Sequence, residues 1–158
     1  MKTAKGQTVE DTPFVLIGTN GGDRVLIMPQ HRSVPNAADY WDGNWVESEV
    51  RIAAGGFHGA FSASLRSEDF IGFRDDVRRL LESLVGVARF DTMEGQLQLA
   101  LTGDGKGHVL VEGTALDQAG TGNTLKFTFE IDQTFLPEVL RSLDDVISRL
   151  PVVGSRNC

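Results

Sequence analysis

The side chains with chemistry beyond solvation are three histidines (His31, His58, His108), one cysteine (Cys158), a pair of acids (Glu47, Glu49) and the aromatic–acid stretch Asp39-Tyr40-Trp41-Asp42-Gly43-Asn44-Trp45. The histidines stand far apart and no two of them, with acids, make the helical ligand set a zinc hydrolase requires, so no metal site is expected. Asp39, Asp42 and Asn44 supply part of a calcium loop, but the alternating oxygen ligands and the closing bidentate glutamate are missing. Glu47 and Glu49 share one face of a strand, roughly 7 Å apart, a separation compatible with carboxylate chemistry and equally with two solvated acids. Gly103-Asp104-Gly105-Lys106-Gly107 looks superficially like a phosphate loop, but an alternating segment resumes at His108 where a helix would be required. No nucleophile elbow is present, and Cys158 closes the sequence with no second cysteine to bridge.

What remains is recognition. Both tryptophans and the single tyrosine fall in the stretch from Tyr40 to Trp45, set among turn-forming residues. Asp42-Gly43-Asn44 predicts a sharp bend, because Gly and Asn tolerate positive φ and Asp can bond its own backbone. Two roles are open to Trp41 and Trp45: rings that anchor the bend to the core, or rings that meet a partner.

The elements that must carry this stretch follow from periodicity. Phe14 to Ile17 and Val25 to Met28 flank a dense turn signal and predict an opening hairpin. Val46, Val50 and Ile52 alternate with Glu47, Glu49 and Arg51, and Phe57, Phe61 and Leu65 continue the inward pattern after Ala53-Ala54-Gly55-Gly56. Ser67 is the expected cap of a helix that runs through Phe70, Phe73, Val77, Leu80, Leu81 and Leu84. Leu97, Leu99 and Leu101, the segment from His108 to Leu116, and Leu125 to Ile131 predict further strands. Asp132-Gln133-Thr134 then opens a second helix, with Pro137 in its first turn. A shift of 66 residues superposes the apolar positions of the two helices, and also Phe61 and Leu65 on Phe127 and Ile131, which suggests a duplicated meander plus helix.

The expected fold is therefore α+β: a curved antiparallel sheet of about 7–8 strands with two amphipathic helices, about 67–85 and 134–150, packed on one face. Glu47, Glu49, His58, Ser62, Ser64, Gln96, Gln98, Lys126 and Glu130 are expected on the opposite, wet face. Residues 1–13 read as a flexible leader, 14–154 as a single domain and 155–158 as a flexible tail.

Charge narrows the partners. With 22 acids against 15 bases the formal net charge is −7, which disfavours direct nucleic-acid binding and suits a basic partner. The polar start lacks a secretory-signal pattern, and no apolar run is long enough to span a membrane, so a cytoplasmic protein is expected.

The Trp-Asp-Gly-Asn-Trp turn, Gly56-Phe57 to Phe61, the helix after Ser67, Gly103-Asp104-Gly105 with Gly107, and Phe127 to Asp132-Gln133-Thr134 together resemble the bacterial WapI-like immunity proteins, over about Phe14 to Gly154. The resemblance implies a cytoplasmic, non-enzymatic inhibitor that binds the toxic nuclease tail of a polymorphic toxin, with no cofactor and no catalytic residues to carry over. The partner surface expected on this chain comprises Asp39, Trp41, Asp42, Glu47 and Glu49. Two other classes compete: a small-ligand or regulatory domain with a pocket between sheet and helices rimmed by the tryptophan turn, and an enzyme using His58 with nearby carboxylates.

Overall fold

The computed structural model describes residues 12–156. The expected leader therefore falls almost wholly outside the described residues, as does Cys158. Alternation at period two forms every strand: β1 (Val15–Gly18), β2 (Arg24–Arg32), β3 (Trp45–Ala54), β4 (Phe57–Arg66), β5 (Val85–Asp91), β6 (Leu97–Asp104), β7 (His108–Leu116) and β8 (Thr124–Asp132). The helices are a single turn, α1 (Tyr40–Gly43), and two amphipathic helices, α2 (Ser67–Ser83) and α3 (Leu136–Arg149), the last entered through a 3-10 turn at Gln133–Phe135.

The α+β class and eight antiparallel strands are as the alternation predicts. The strands fall into two four-stranded meanders, β1-β2-β3-β4 and β5-β6-β7-β8. Each meander is followed by its helix, so the chain repeats one order of elements twice. The repeat extends to side chains: Phe70, Phe73, Val77 and Leu80 are buried on α2, and Leu136, Val139, Leu143 and Val146 are buried at the same intervals on α3.

The halves interlock. Helix α2 lies along β5, α3 lies against β1, and the two helices pack on each other, while β8 approaches β1 and β3. One hydrophobic cluster consequently runs through both meanders and both helices, from Val15 and Val50 to Phe90, Leu101, Phe129 and Leu143. No helix is long and apolar enough to cross a membrane among the described residues.

Gln96 holds the junction between the sheets. Expected on the wet face, it is instead 6% exposed. Its Oε1 accepts from the Ser64 N–H at 3.2 Å and its Nε2 donates to the Ser62 carbonyl at 3.1 Å. The amide therefore satisfies the outer edge of β4 as a neighbouring peptide group would, which is why it is withdrawn from water.

Three local expectations are corrected. Phe57, read as inward, is 68% exposed, because it sits in the first rung after the Gly55-Gly56 turn, beyond the reach of the core. Ser67 does not cap α2. Arg66 occupies the cap position, the Asp69 carboxylate accepts from the Arg66 N–H at 3.0 Å, and the buried Ser67 hydroxyl has no partner among the described residues. Helix α2 also stops earlier than expected: Leu84, in the left-handed region at φ 64°, closes it before Gly86.

Candidate functional site

The connection between β2 and β3 carries the aromatic stretch. The equivalent connection in the second half, between β6 and β7, is only a tight turn. There Asp104 accepts from the Lys106 and His108 backbone N–H groups and meets His108 Nδ1 at 2.9 Å. These contacts hold the Asp104 carboxyl down at about 2 and raise His108, so this loop and its histidine form a self-contained hairpin turn.

In the first half the chain instead forms α1. Asp39 caps it, its carboxylate accepting from the Asp42 N–H at 3.0 Å. The expected positive-φ bend is thus replaced by a helical turn, with Asn44 at φ −106°. Gly43 is required for space rather than for conformation: a Cβ there would lie 2.5 Å from Val153 and 2.8 Å from the Ala37 carbonyl. Asn44 is wholly buried and exchanges two bonds with the Val153 backbone, each 2.9 Å. Arg32 donates to the carbonyls of Gly43 and Pro151. The segment after α3 therefore crosses α1 as a strap.

Beneath α1 lies a residue that alternation conceals. Arg66 is 1% exposed although it falls at an outward position of β4. Register places it beside Trp45, and α1 folds over both. Its guanidinium stands 4.8 Å from the Trp45 ring centroid, 5.2 Å from Tyr40 and 5.5 Å from Trp41. It donates to the Tyr40 carbonyl at 2.7 Å and the Trp41 carbonyl at 2.9 Å, and its Nε pairs with Glu68. A planar fork between aromatic faces is the arrangement that suits Arg and not Lys. The sequence reading missed this centre because a charged residue at a wet strand position signals solvent, and only the folded turn removes the water. Burial raises the Tyr40 hydroxyl above its ordinary range, and the adjacent Glu68 adds to the effect.

Trp45 is thus an anchor on Arg66. Trp41 is 45% exposed, edge-on to Tyr40 with ring centroids 4.9 Å apart and Arg156 at 6.0 Å. Asp39 and Asp42 are exposed beside it. Glu47 and Glu49 continue the face of β3 on which Trp45 stands. Both are half-buried: Glu47 accepts from Ser33 and Ser64, and Glu49 pairs with Arg51 at 2.7 Å. The five sequence-selected residues therefore lie along one outer side of the first sheet, with the shoulder exposed and the two strand acids internally compensated. His31 Nδ1 meets the Arg32 carbonyl oxygen at 3.1 Å, and His58 is exposed at the far end of β4. Among the described residues no group of three His, Cys, Asp or Glu side chains is placed to hold a metal ion.

Asp69, the acid that caps the Arg66 backbone, is also perturbed. Burial pushes its carboxyl up to about 7 against the lowering effect of the Arg66 N–H, and Glu68 reinforces the rise. A folded pKa above the unfolded value means that the folded chain holds the proton longer. The stabilisation is complete below about pH 4 and is lost as pH rises to about 7. We expect a lower Tm at pH 8 than at pH 5, with Asp69→Asn removing part of the slope. The rest belongs to His108, whose raised pKa acts with the same sign. A melting series in which Asp69→Asn tracks the wild type at every pH would refute this assignment.

An apolar-walled cleft of about 210 Å³ opens between the two sheets near Phe57, Phe61 and Leu125, at the opposite end of β3 and β4 from the tryptophan shoulder. A search of curated proteins returns no match for this chain. The sequence model of the immunity protein WapI-like family matches residues 16–151, which spans both meanders and both long helices. The chain belongs to the WapI-like immunity protein family.

Proposed function

We propose that this protein is a non-enzymatic, cytoplasmic immunity protein that binds and neutralises a cognate toxin domain, of basic nuclease type, through its acidic outer side. Membership of the immunity family carries the reading. The net charge of −7 supports a basic partner, since complementary potentials speed encounter and favour the matching surface. The contact surface we assign is the shoulder of Asp39, Trp41 and Asp42 with Glu47 and Glu49 beside it. Trp41 suits the role of anchor because its backbone is already immobilised by Arg66 and the strap, so little conformational entropy is lost when the ring is covered.

The test is calorimetry of the purified protein against the polypeptide encoded immediately upstream of its gene, at two salt concentrations. Tight binding that weakens with salt is expected, and Trp41→Ala together with Glu47→Lys/Glu49→Lys should weaken it by about tenfold or more, the scale of one hot-spot loss. Unchanged affinity in these variants would remove this surface from consideration, and no binding by the wild type would remove the toxin-inhibitor reading itself.

A further inference from the structure

Strand β4 ends the first sheet, and its outer edge is only half occupied. In an antiparallel ladder alternate residues turn both backbone groups toward one neighbour and the next residues turn theirs away. The bonds from Ser64 N–H and Ser62 C=O to the Gln96 amide identify the even-numbered residues of β4 as the ones that face away from β3. His58 and Ala60 belong to the same set. Both are exposed, and among the described residues their backbone groups make no hydrogen bond outside the sheet. Gln96 thus occupies one end of the edge as the first peptide unit of an absent strand would, and the edge beyond it, toward Phe57, is open.

This open edge forms one wall of the cleft described above. The base of the β7–β8 hairpin, from Ala115 to Leu125, forms the other. Phe57 and Phe61 on one side and Ala115 and Leu125 on the other offer apolar contacts for alternate side chains of an inserted chain. Asp117 lines the cleft with its carboxylate accepting from the Asn123 N–H at 2.7 Å, and among the described residues no lysine or arginine lines it. An edge of unpaired donors and acceptors between apolar walls fits an extended polypeptide that completes the ladder. The net charge of −7 favours one that carries a basic residue.

We infer that the edge of β4 from His58 to the Ser62 N–H is a docking site for an extended, basic segment of the toxin, which adds to the first sheet as a fifth strand. The inference rests on the toxin-binding reading above, and the edge adjoins the outer side that carries Glu47 and Glu49: Ser62 pairs with Glu49 across the same sheet, and Arg51, opposite Ala60, is already paired with Glu49.

Ala60→Pro tests it directly. Proline deletes the outward N–H and obstructs an added strand, while the ladder to β3 does not use that N–H. In titrations against the polypeptide encoded upstream, Ala60→Pro should raise Kd at least tenfold with a circular-dichroism spectrum like that of the wild type. Amide exchange on the wild-type complex supplies the second measurement, with the His58, Ala60 and Ser62 amides slowed at least tenfold relative to the uncomplexed protein. Wild-type binding with neither effect would overturn the docking site and leave the toxin reading standing. No wild-type binding would overturn both. A self-associated species in sedimentation that Ala60→Pro dissociates would also overturn it, by assigning the edge to a second copy of this chain.

Discussion

Arg66→Ala is expected to destabilise the protein by about 3–5 kcal/mol, the scale seen when one partner of a buried ion pair is removed. Several losses coincide. The Glu68 carboxylate loses its counter-charge, the carbonyls of Tyr40 and Trp41 lose their donors, and the space between three aromatic rings is left unfilled. Since α1 has only four residues and cannot stand by propensity, its position depends on that guanidinium and on the strap that bonds Asn44. Arg66→Lys keeps the charge but not the fork, and should fall between wild type and alanine. Arg66→Met with Glu68→Gln fills the volume and removes the unpaired charge, so it should recover part of the loss. Urea denaturation with near-UV circular dichroism measures both the stability and the tryptophan environment. A loss below about 1 kcal/mol for Arg66→Ala would show that the cation is peripheral to the fold.

Gly103→Ala is expected to cost about 2–3 kcal/mol through overpacking. The added methyl would lie 2.5 Å from the Leu84 carbonyl oxygen and 2.8 Å from Leu80 Cδ1. That carbonyl cannot retreat easily, because it accepts from the Gly105 N–H at 2.8 Å and belongs to the left-handed residue that closes α2. The contact therefore sets how closely the end of α2 sits on β6. Gly72→Ala is the internal control with the opposite sign: its site in the middle of α2 has no atom within 4 Å of the new Cβ, and relief of the glycine penalty should stabilise by about 0.5–1 kcal/mol. Equal melting temperatures for Gly103→Ala and wild type would contradict the packing argument.

The two halves show how one architecture takes on different local tasks. At the 66-residue offset Arg66 corresponds to Asp132. Asp132 behaves as a conventional cap, accepting from the Thr134 N–H at 2.9 Å and held below its ordinary pKa by that bond. Arg66 turns inward under α1. The difference arises because only the first half replaces its tight hairpin between the second and third strands with the aromatic turn. The aromatic shoulder is thus built on a position that the repeat would otherwise use to start a helix.

Much of this was legible in the residue order. Period-two alternation determined the strands, since an apolar face must leave water and a strand turns every second side chain the same way. The stripes on α2 and α3, with Pro137 in the first turn of the latter, determined the long helices for the corresponding reason at period 3.6. The residues of the proposed contact surface, Asp39, Trp41, Asp42, Glu47 and Glu49, were visible as types, and strand register keeps the last two in line. What tertiary structure alone decided were facts that depend on distant partners. The junction between the two sheets is held by Gln96 meeting a strand some thirty positions earlier. The inward turn of Arg66 rests on α1 arriving from 25 residues away, and the rigidity of α1 on Asn44 meeting Val153 across 109. A polar side chain reads as wet from its neighbours in sequence. It becomes a structural centre only when segments remote in the chain exclude the water around it and supply the hydrogen bonds that water had made.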